Sequence, residues 1–233
     1  MPNYKKIFNL LLENLNFKKP IYFLKGFLFE TKNMKKPILI ALIIVFIASC
    51  SKESITNTPT QTTQSHRIGE LFGGGIIFNI YKDKTGIEHG LISSLADISM
   101  STYWSAPGAG GGTETKAISS WNGQLNTQNI ISILGFSATA ANLCKSYTGG
   151  NFTDWYFPSI LELQTLRDQQ AILNDVLEND QDITSTVFSP ELYWTSVEVD
   201  GGGGAYTVDF RTGTVGYQNK QAVLCKLRAI RKF

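Results

Sequence analysis

The chain has 233 residues, of which 42% are hydrophobic, so it is long enough for one domain of ordinary size plus a leader and too apolar for a disordered protein. Its formal net charge of +2 hides an asymmetry, because residues 1–49 carry eight lysines against two glutamates, whereas the remainder carries 13 basic and 17 acidic residues. This mildly acidic body lacks the basic excess that nucleic-acid binding uses, so no nucleic acid is expected as a partner. The three cysteines are too few and too scattered for a zinc site.

The first predicted element is a signal peptide at 34–49. A basic start at Met34-Lys35-Lys36 precedes an apolar run that ends in Ile-Ala-Ser before Cys50. The apolar run is about 13 residues long, shorter than the roughly 20 that a membrane span needs. This pattern resembles a bacterial lipobox, whose cysteine receives diacylglycerol and becomes the new N-terminus. We therefore expect Cys50 to be lipidated, and the protein to be a Gram-negative outer-membrane lipoprotein held in the membrane by its N-terminal lipid.

The segments on either side of this signal lead to two further expectations. Residues 1–33 precede the basic start, a position in which no signal peptide carries extra chain, so we expect translation to start at Met34 and residues 1–33 to be an over-extended N-terminus. Residues 50–66 are rich in Ser, Thr, Asn and Gln, a composition that cannot bury a core and predicts a flexible tether. Ser51-Lys52-Glu53 loosely resembles the Lys/acidic export signal of Bacteroidetes-type lipoproteins, which favours outward display.

The folded body is expected at 67–233 and opens with a predicted β-hairpin. Residues 76–81 and 89–95 are apolar, β-branched or aromatic, and turn-forming residues separate the two runs. The glycines at 73–75 precede a strand and lack a Gly-Lys-Ser/Thr ending, which argues against a phosphate-binding loop. Residues 101–129 are predicted as an irregular loop region because they contain a Pro-Gly-Ala-Gly-Gly-Gly run.

Helices are expected in the middle of the chain. One is predicted at 137–147, ended by Gly149-Gly150, and another runs from Ser159 to about Gln169, with Pro158 before it and Glu162 completing a capping pattern. A second short helix is predicted at 171–177. In the turn between the first two, Trp155 is assigned to the core, and Asp154 is expected to cap or tie the turn.

The C-terminal part is predicted as strands at 193–198, 205–210, 214–217 and 223–231. Period-two alternation in the last strand places Cys225 and Leu227 on one face and Arg228 on the other. Trp194 lies inside a strand and is assigned to the core.

These motifs, in this order, resemble the C-terminal domain of the Legionella collagen-like protein, a domain of unknown function found in bacterial surface lipoproteins. The resemblance implies an α+β fold related to C-type lectins and formylglycine-generating enzymes, with a mixed, mostly antiparallel sheet, two flanking helices, long irregular loops and paired terminal strands. It also implies a disulfide between Cys144 and Cys225, with two separately buried thiols as the alternative. The motifs that carry it are GGGIIF from Gly73, HGLI from His89, TDWYFPSILEL from Thr153, YWTSVE from Tyr193 and LRAIRKF from Leu227.

Catalytic chemistry has little support in the sequence. The formylglycine-generating relatives use a cysteine pair in their active site, whereas Cys144 and Cys225 lie in predicted core elements. His89 is interpreted as structural, because no Gly-x-Ser-x-Gly elbow accompanies it. Carboxylates at 175–182 could ligate calcium, but without EF-hand spacing a solvated acidic connection is favoured. The sugar-binding motifs Glu-Pro-Asn, Gln-Pro-Asp and Trp-Asn-Asp are missing, so no cofactor is expected.

Aromatic side chains among Gly, Ser and Asn are the remaining candidates for function. We predict a non-catalytic binding or adhesion module for a glycan or protein, with its surface on residues 101–129 and 200–204. The alternatives are an enzyme or accessory of the formylglycine-generating type, and a purely structural envelope protein. Trp104 and Trp121 are either exposed in this surface or used in packing. The ligand-binding candidates are Tyr103, Trp104, Trp121, Asn122, Asp200 and Tyr206.

Overall fold

The computed structural model describes residues 65–109 and 112–233, so the predicted signal peptide and Cys50 lie outside the described residues. The described part is an α+β fold, in which strands from both ends of the chain form two sheets and the helices come from the middle. Its nine strands are β1 (Leu71–Phe72), β2 (Gly75–Lys82), β3 (Glu88–Ser94), β4 (Ser99–Thr102), β5 (Leu192–Glu198), β6 (Gly204–Asp209), β7 (Val215–Asn219), β8 (Cys225–Leu227) and β9 (Ile230–Lys232). Its four α-helices are α1 (Gly123–Leu134), α2 (Thr139–Ser146), α3 (Ile160–Asp168) and α4 (Gln170–Asn179).

The first sheet has the strand order β1-β2-β3-β9 and contains the predicted hairpin as β2 and β3. The start of β2 is fully buried because Ile76, Ile77 and Phe78 are all apolar. Gly74 has a positive φ of 79°, and a Cβ there would meet the Gly149 carbonyl oxygen at 2.5 Å. This glycine therefore permits both the turn before β2 and a close approach of the central chain segment.

The second sheet has the order β4-β8-β5-β6-β7 and is antiparallel except for the parallel contact between β5 and β8. The single strand predicted at 223–231 is in fact broken into β8 and β9, which join different sheets. The break falls at Arg228, whose side chain turns inward to a buried carboxylate. Strand β9 pairs with β3 of the N-terminal hairpin, so N- and C-terminal strands of the body are paired in one sheet, as the resemblance implied.

The helices correspond to the predicted ones with one exception. Helix α3 begins with the predicted capping box, because the Ser159 and Glu162 side chains each bond the other's backbone N–H. Helix α1 falls in the region predicted to be irregular, which makes four α-helices where two flanking helices were expected. Its buried face is partly polar, because Asn126 and Thr127 are buried there. Asn126 donates to the Ser196 hydroxyl, and the Thr127 hydroxyl accepts from the Phe157 N–H. Among the described residues, none of the helices has the length and apolarity of a membrane span.

Two apolar clusters form the core. The first contains the three fully buried tryptophans Trp104, Trp155 and Trp194, and packs α1 and α2 against the strands. Each indole N–H has a backbone acceptor: Thr195, Gly149 and Thr102 respectively, at 2.8, 3.1 and 2.8 Å. The second cluster lies under α3 and α4 and includes Ile76, Phe78, Tyr156, Leu163, Leu166, Leu173, Leu177, Phe188, Tyr193 and Phe210. In the first cluster, each buried indole N–H is hydrogen-bonded, so the three tryptophan rings are buried without leaving a polar group unpaired.

A buried charge network holds the C-terminal break in place. Arg228 is 1% exposed, and its Nε donates to Asp97 Oδ1 at 2.6 Å while its Nη1 donates to the Ser94 carbonyl oxygen at 2.7 Å. Its remaining nitrogen donates to the Thr186 carbonyl. Lys226 Nζ reaches the other Asp97 oxygen at 3.3 Å. The guanidinium thus joins three separate chain segments at one point.

A second buried pair anchors the segment that leads into α1. Glu198 and Lys220 form an ion pair in which the side chains are 3% and 1% exposed. Glu198 Oε2 also accepts from the Thr115 backbone N–H at 2.6 Å and from its hydroxyl at 2.9 Å. Lys220 Nζ donates to the Thr113 carbonyl oxygen at 2.8 Å and lies 5.2 Å from the Trp104 ring. This pair fixes the segment 113–117 against β5.

The turn before α3 is tied to β9 by Asp154, as one of the two expected roles for this residue required. Arg231 donates from Nε and Nη2 to the two carboxylate oxygens of Asp154 at 2.8 and 3.0 Å. Hydrogen bonding from this guanidinium lowers the pKa of Asp154. Pro158 is buried, and its carbonyl oxygen accepts from the Ser196 N–H at 2.7 Å. The turn is therefore fixed to both sheets.

Candidate functional site

An open groove of about 270 Å³ lies between the first sheet and helix α3. Its floor is a row of residues that face each other across three strands, because Asn79 of β2 pairs with Leu91 of β3, which pairs with Lys232 of β9. Residues that are directly opposite in neighbouring strands project from the same face of a sheet. The floor therefore presents an amide, an aliphatic side chain and an ammonium group side by side.

One end of the groove is formed by Tyr81, two residues beyond Asn79 on the same face of β2. Its side chain is half exposed, and its ring centroid lies 5.4 Å from that of His89, its partner on β3. His89 Nε2 is 3.2 Å from the Asp83 carboxylate. The tyrosine ring is thus supported from one side while its other side faces the groove.

The opposite wall combines helix α3 with the turn before α1. Leu161 and Thr165 lie one turn apart on α3 and both line the groove. Trp121 is 71% exposed, and the residues on either side of it are fixed. The Ser120 carbonyl accepts from the Leu161 N–H at 2.9 Å, and the Asn122 side chain caps α1 by accepting from the Leu125 N–H at 3.0 Å. The indole is therefore presented on a rigid backbone.

Glu162 lies at the back of the groove, where it joins the starts of two helices. Its Oε2 accepts from the Ser159 and Gly123 backbone N–H groups at 2.8 and 3.0 Å, and its Oε1 accepts from the Tyr156 hydroxyl at 2.9 Å. Burial, with the Glu162 charge as the next cause, raises the pKa of Tyr156 far above its usual value. Both oxygens of this carboxylate are therefore occupied by structural hydrogen bonds.

The family model described as the Lcl C-terminal domain matches residues 94–231, which is more than half of the chain. The chain belongs to the Lcl C-terminal domain family. No curated protein matches it. The matched part of this Lcl C-terminal domain includes Trp121, Leu161 and Thr165, so it contains one wall of the groove. The floor residues Asn79 and Lys232 lie outside it.

The structure separates the predicted ligand-binding candidates. Trp104 was a candidate for exposure and is fully buried, with its indole N–H bonded to the Thr195 carbonyl, so its assignment to a binding surface is wrong. Trp121 is exposed and lines the groove. Asn122 serves as the cap of α1. Tyr103 is half buried in the loop after β4. Of this group, Trp121 alone contributes a side chain to the groove.

The two remaining candidates lie elsewhere. Asp200 is exposed in the turn between β5 and β6, and Tyr206 is half buried on β6, opposite Tyr217 of β7. The two glycine-containing loops lie against each other, because a Cβ on Gly202 would lie 2.6 Å from the Gly112 carbonyl oxygen. These loops do not line the groove described above.

Sequence reasoning missed most of the groove. Asn79 and Tyr81 were assigned only to a strand, although polar and half-exposed residues that alternate at the end of an otherwise apolar strand signal a solvent-facing surface. Leu161 fell within the predicted helix that became α3 but was given no role, and it is half exposed. No local sequence pattern places Lys232 in the groove, because its position there depends on the pairing of β9 with β3.

The expected disulfide between Cys144 and Cys225 is absent from this Lcl C-terminal domain, where both are free, buried thiols. The Cys144 Sγ lies 3.9 Å from the carbonyl oxygen of Arg228, three residues beyond Cys225. The carboxylates considered for calcium are also not assembled, since the described residues contain no cluster of three or more His, Cys, Asp or Glu side chains.

The pH dependence of the free energy of unfolding above about pH 9 differs between free thiols and a disulfide, because only free thiols can lose a proton. Burial raises the pKa of the Cys225 thiol to about 12 and that of Cys144 well above its usual value. The thiols of the unfolded chain lose their protons near pH 9, whereas the buried thiols of the folded chain keep theirs to higher pH. Raising the pH from about 9 towards 12 therefore favours the unfolded state over the folded one. We expect the free energy of unfolding to fall by about 1.4 kcal/mol per pH unit for each thiol.

Urea denaturation at pH 7 to 11 measures this effect. The control is the Cys144→Ala/Cys225→Ala double variant, which retains the alkaline titration of every tyrosine and lysine. A wild-type protein whose pH dependence equals that of the double variant would show that the thiols do not titrate, as in a disulfide.

Proposed function

We propose that this protein is a lipid-anchored envelope protein whose folded body, which contains the Lcl C-terminal domain, is a non-catalytic glycan-binding module. The observation that carries the proposal is the exposure of Trp121 and Tyr81, at 71% and 52%, in one groove with a polar floor. An exposed indole on a fixed backbone leaves a large apolar surface in water, and a ligand with a flat apolar face would cover it.

The chemistry of the groove favours a sugar over a protein. Pyranose rings have C–H faces that stack on aromatic rings and hydroxyl groups at their edges. Trp121 and Tyr81 offer the stacking surfaces, while Asn79 and Lys232 offer an amide and an ammonium group for the hydroxyls. The groove's volume of about 270 Å³ is close to the roughly 300 Å³ at the lower end of small-ligand pockets, which suits a small ligand such as a sugar.

The proposed anchor rests on the signal-peptide pattern at 34–49 and on Cys50. Metabolic labelling with an alkyne-tagged fatty acid tests it directly. We expect the wild-type chain to carry the label and the Cys50→Ala variant to carry none. The variants Cys144→Ala and Cys225→Ala serve as controls and should label like wild type. Label that persists in Cys50→Ala would refute a lipid on this cysteine.

The enzymatic alternative requires an accessible thiol with a lowered pKa. Cys144 and Cys225, the cysteines of the described residues, are buried, and burial raises the pKa of both. His89 is occupied with Asp83 on the surface of the hairpin. These observations support a binding module over a thiol-dependent enzyme.

Substitution of Trp121 tests the glycan-binding proposal. We expect the wild-type protein to bind on a broad glycan array, and Trp121→Ala to weaken its best interaction at least about fivefold, because tryptophans buried at an interface typically contribute more than about 1 kcal/mol. The fold should be unchanged, since the side chain is exposed. Isothermal titration of both proteins with the strongest array sugar measures the affinity.

Phe136→Ala is the matched control, because Phe136 is a fully exposed aromatic residue just beyond α1 that does not line the groove. Its affinity should equal that of wild type. Equal losses in the two variants, or a wild-type protein that binds no sugar on the array, would count against the proposal.

A further inference from the structure

Strand β7 forms an unprotected edge of the second sheet. Among the described residues it pairs with β6 alone, over the continuous register from Val215 to Asn219. Tyr217, at its centre, is 66% exposed. Residues 212–219 contain no charged residue and no proline, and the register has no bulge. Exposed edge strands usually carry a charged residue, a proline or a bulge, because each of these prevents pairing with another chain.

The hydrogen-bond pattern determines which backbone groups of β7 are free. Asp209 N–H donates to the Thr214 carbonyl oxygen at 2.9 Å, so the pair 209/214 is a hydrogen-bonded pair of the antiparallel ladder. Bonded and non-bonded pairs alternate, which makes 208/215 and 206/217 non-bonded pairs. The N–H and C=O groups of Val215 and Tyr217 therefore point away from β6, towards the open edge.

We propose that β7 pairs antiparallel with β7 of a second copy of this chain, across a two-fold axis at Tyr217. In this register Tyr217 lies opposite its own copy and exchanges both backbone hydrogen bonds with it. Val215 lies opposite Asn219 of the second copy. The two five-stranded sheets then become one continuous sheet, and the interface uses the same residues on both sides, as two-fold symmetry requires.

The occupant is a second copy because the edge is complementary to itself. The strand is uncharged, so two copies bring no like charges together. Tyr206 lies opposite Tyr217 within each copy, so the pairing places four tyrosines in one row on one face of the joined sheet. Cross-strand aromatic pairs stabilise sheets by roughly 0.2–1 kcal/mol each. An edge of five residues makes a weak dimer, which a covalent trap can detect.

Disulfide trapping with the purified full-length chain tests the proposal. In a hydrogen-bonded antiparallel pair the Cα atoms are about 5.5 Å apart, within the range of a disulfide. We expect Tyr217→Cys to form a covalent dimer under mild oxidation, seen on a non-reducing gel and lost on reduction. The native cysteines are present in every variant and in wild type, which gives the background.

Two control variants make the result specific. Gln218→Cys lies on the same strand but faces residue 216 of the second copy, so it should give at least about fivefold less dimer than Tyr217→Cys. Ile183→Cys, fully exposed in the loop after α4, reports random collision and should resemble wild type. A Tyr217→Cys protein that stays monomeric, or equal trapping at all three positions, would overturn the proposed pairing. Glycan binding by a protein that fails this test would leave the proposed function intact.

Discussion

Replacing Arg228 by alanine will lower the free energy of unfolding by about 3–5 kcal/mol, the usual cost of breaking a buried ion pair. Arg228 is 1% exposed, and its partner Asp97 is a buried carboxylate. Without the guanidinium, that carboxylate loses its closest charge partner, and the carbonyls of Ser94 and Thr186 lose their donor. Lys226 remains at 3.3 Å from Asp97 but supplies a single contact.

Urea denaturation at pH 7 measures the change, with Arg211→Ala as the matched control. Arg211 pairs with Asp209 at 3.6 Å, but its side chain is 72% exposed, and exposed pairs contribute at most about 1 kcal/mol. Two arginines with the same substitution should thus differ severalfold in effect. If Arg228→Ala costs no more than Arg211→Ala, the buried network does not stabilise the C-terminal break.

Replacing Glu198 by alanine will cost a similar amount, about 3–5 kcal/mol. The variant leaves the ammonium group of Lys220, which is 1% exposed, without its counter-charge. It also leaves the Thr115 N–H and hydroxyl without an acceptor. Because Thr115 lies six residues before Trp121, we expect the segment leading to the groove to loosen as well as the whole domain to lose stability.

Glu191→Ala is the control, since Glu191 also pairs with a lysine but is 60% exposed. It should change the free energy of unfolding by less than about 1 kcal/mol. Native-state hydrogen exchange adds a local readout, in which Glu198→Ala should raise exchange at residues 113–117 more than in α4. Uniform protection in the Glu198 variant would contradict the anchoring role.

Features with local signals were predictable from the sequence. The capping box of α3 could be recognised because Ser159 and Glu162 stand three residues apart before an apolar run. The β2–β3 hairpin could be recognised because its turn chemistry lies between two β-branched runs. Both depend on interactions within a few residues of chain, so no knowledge of the tertiary fold was needed.

Features decided by tertiary contact were not predictable. Helix α1 contains Asn126 and Thr127 on its buried face, two poor helix formers whose side chains bond residues of other segments. Trp104 follows a short strand and precedes a glycine-rich loop, which suggested exposure, but its ring lies near Phe157 and Lys220 and its indole N–H bonds to β5. The groove floor likewise joins β2, β3 and β9, and the sequence carries no local signal for that union.

The position of β9 has a consequence for the time course of folding. The strand that completes the first sheet, Ile230–Lys232, pairs with Leu91–Ser93, about 140 positions earlier in the chain. The floor of the groove therefore forms only after β9 has been synthesised and can pair with β3. Such long-range pairing slows folding.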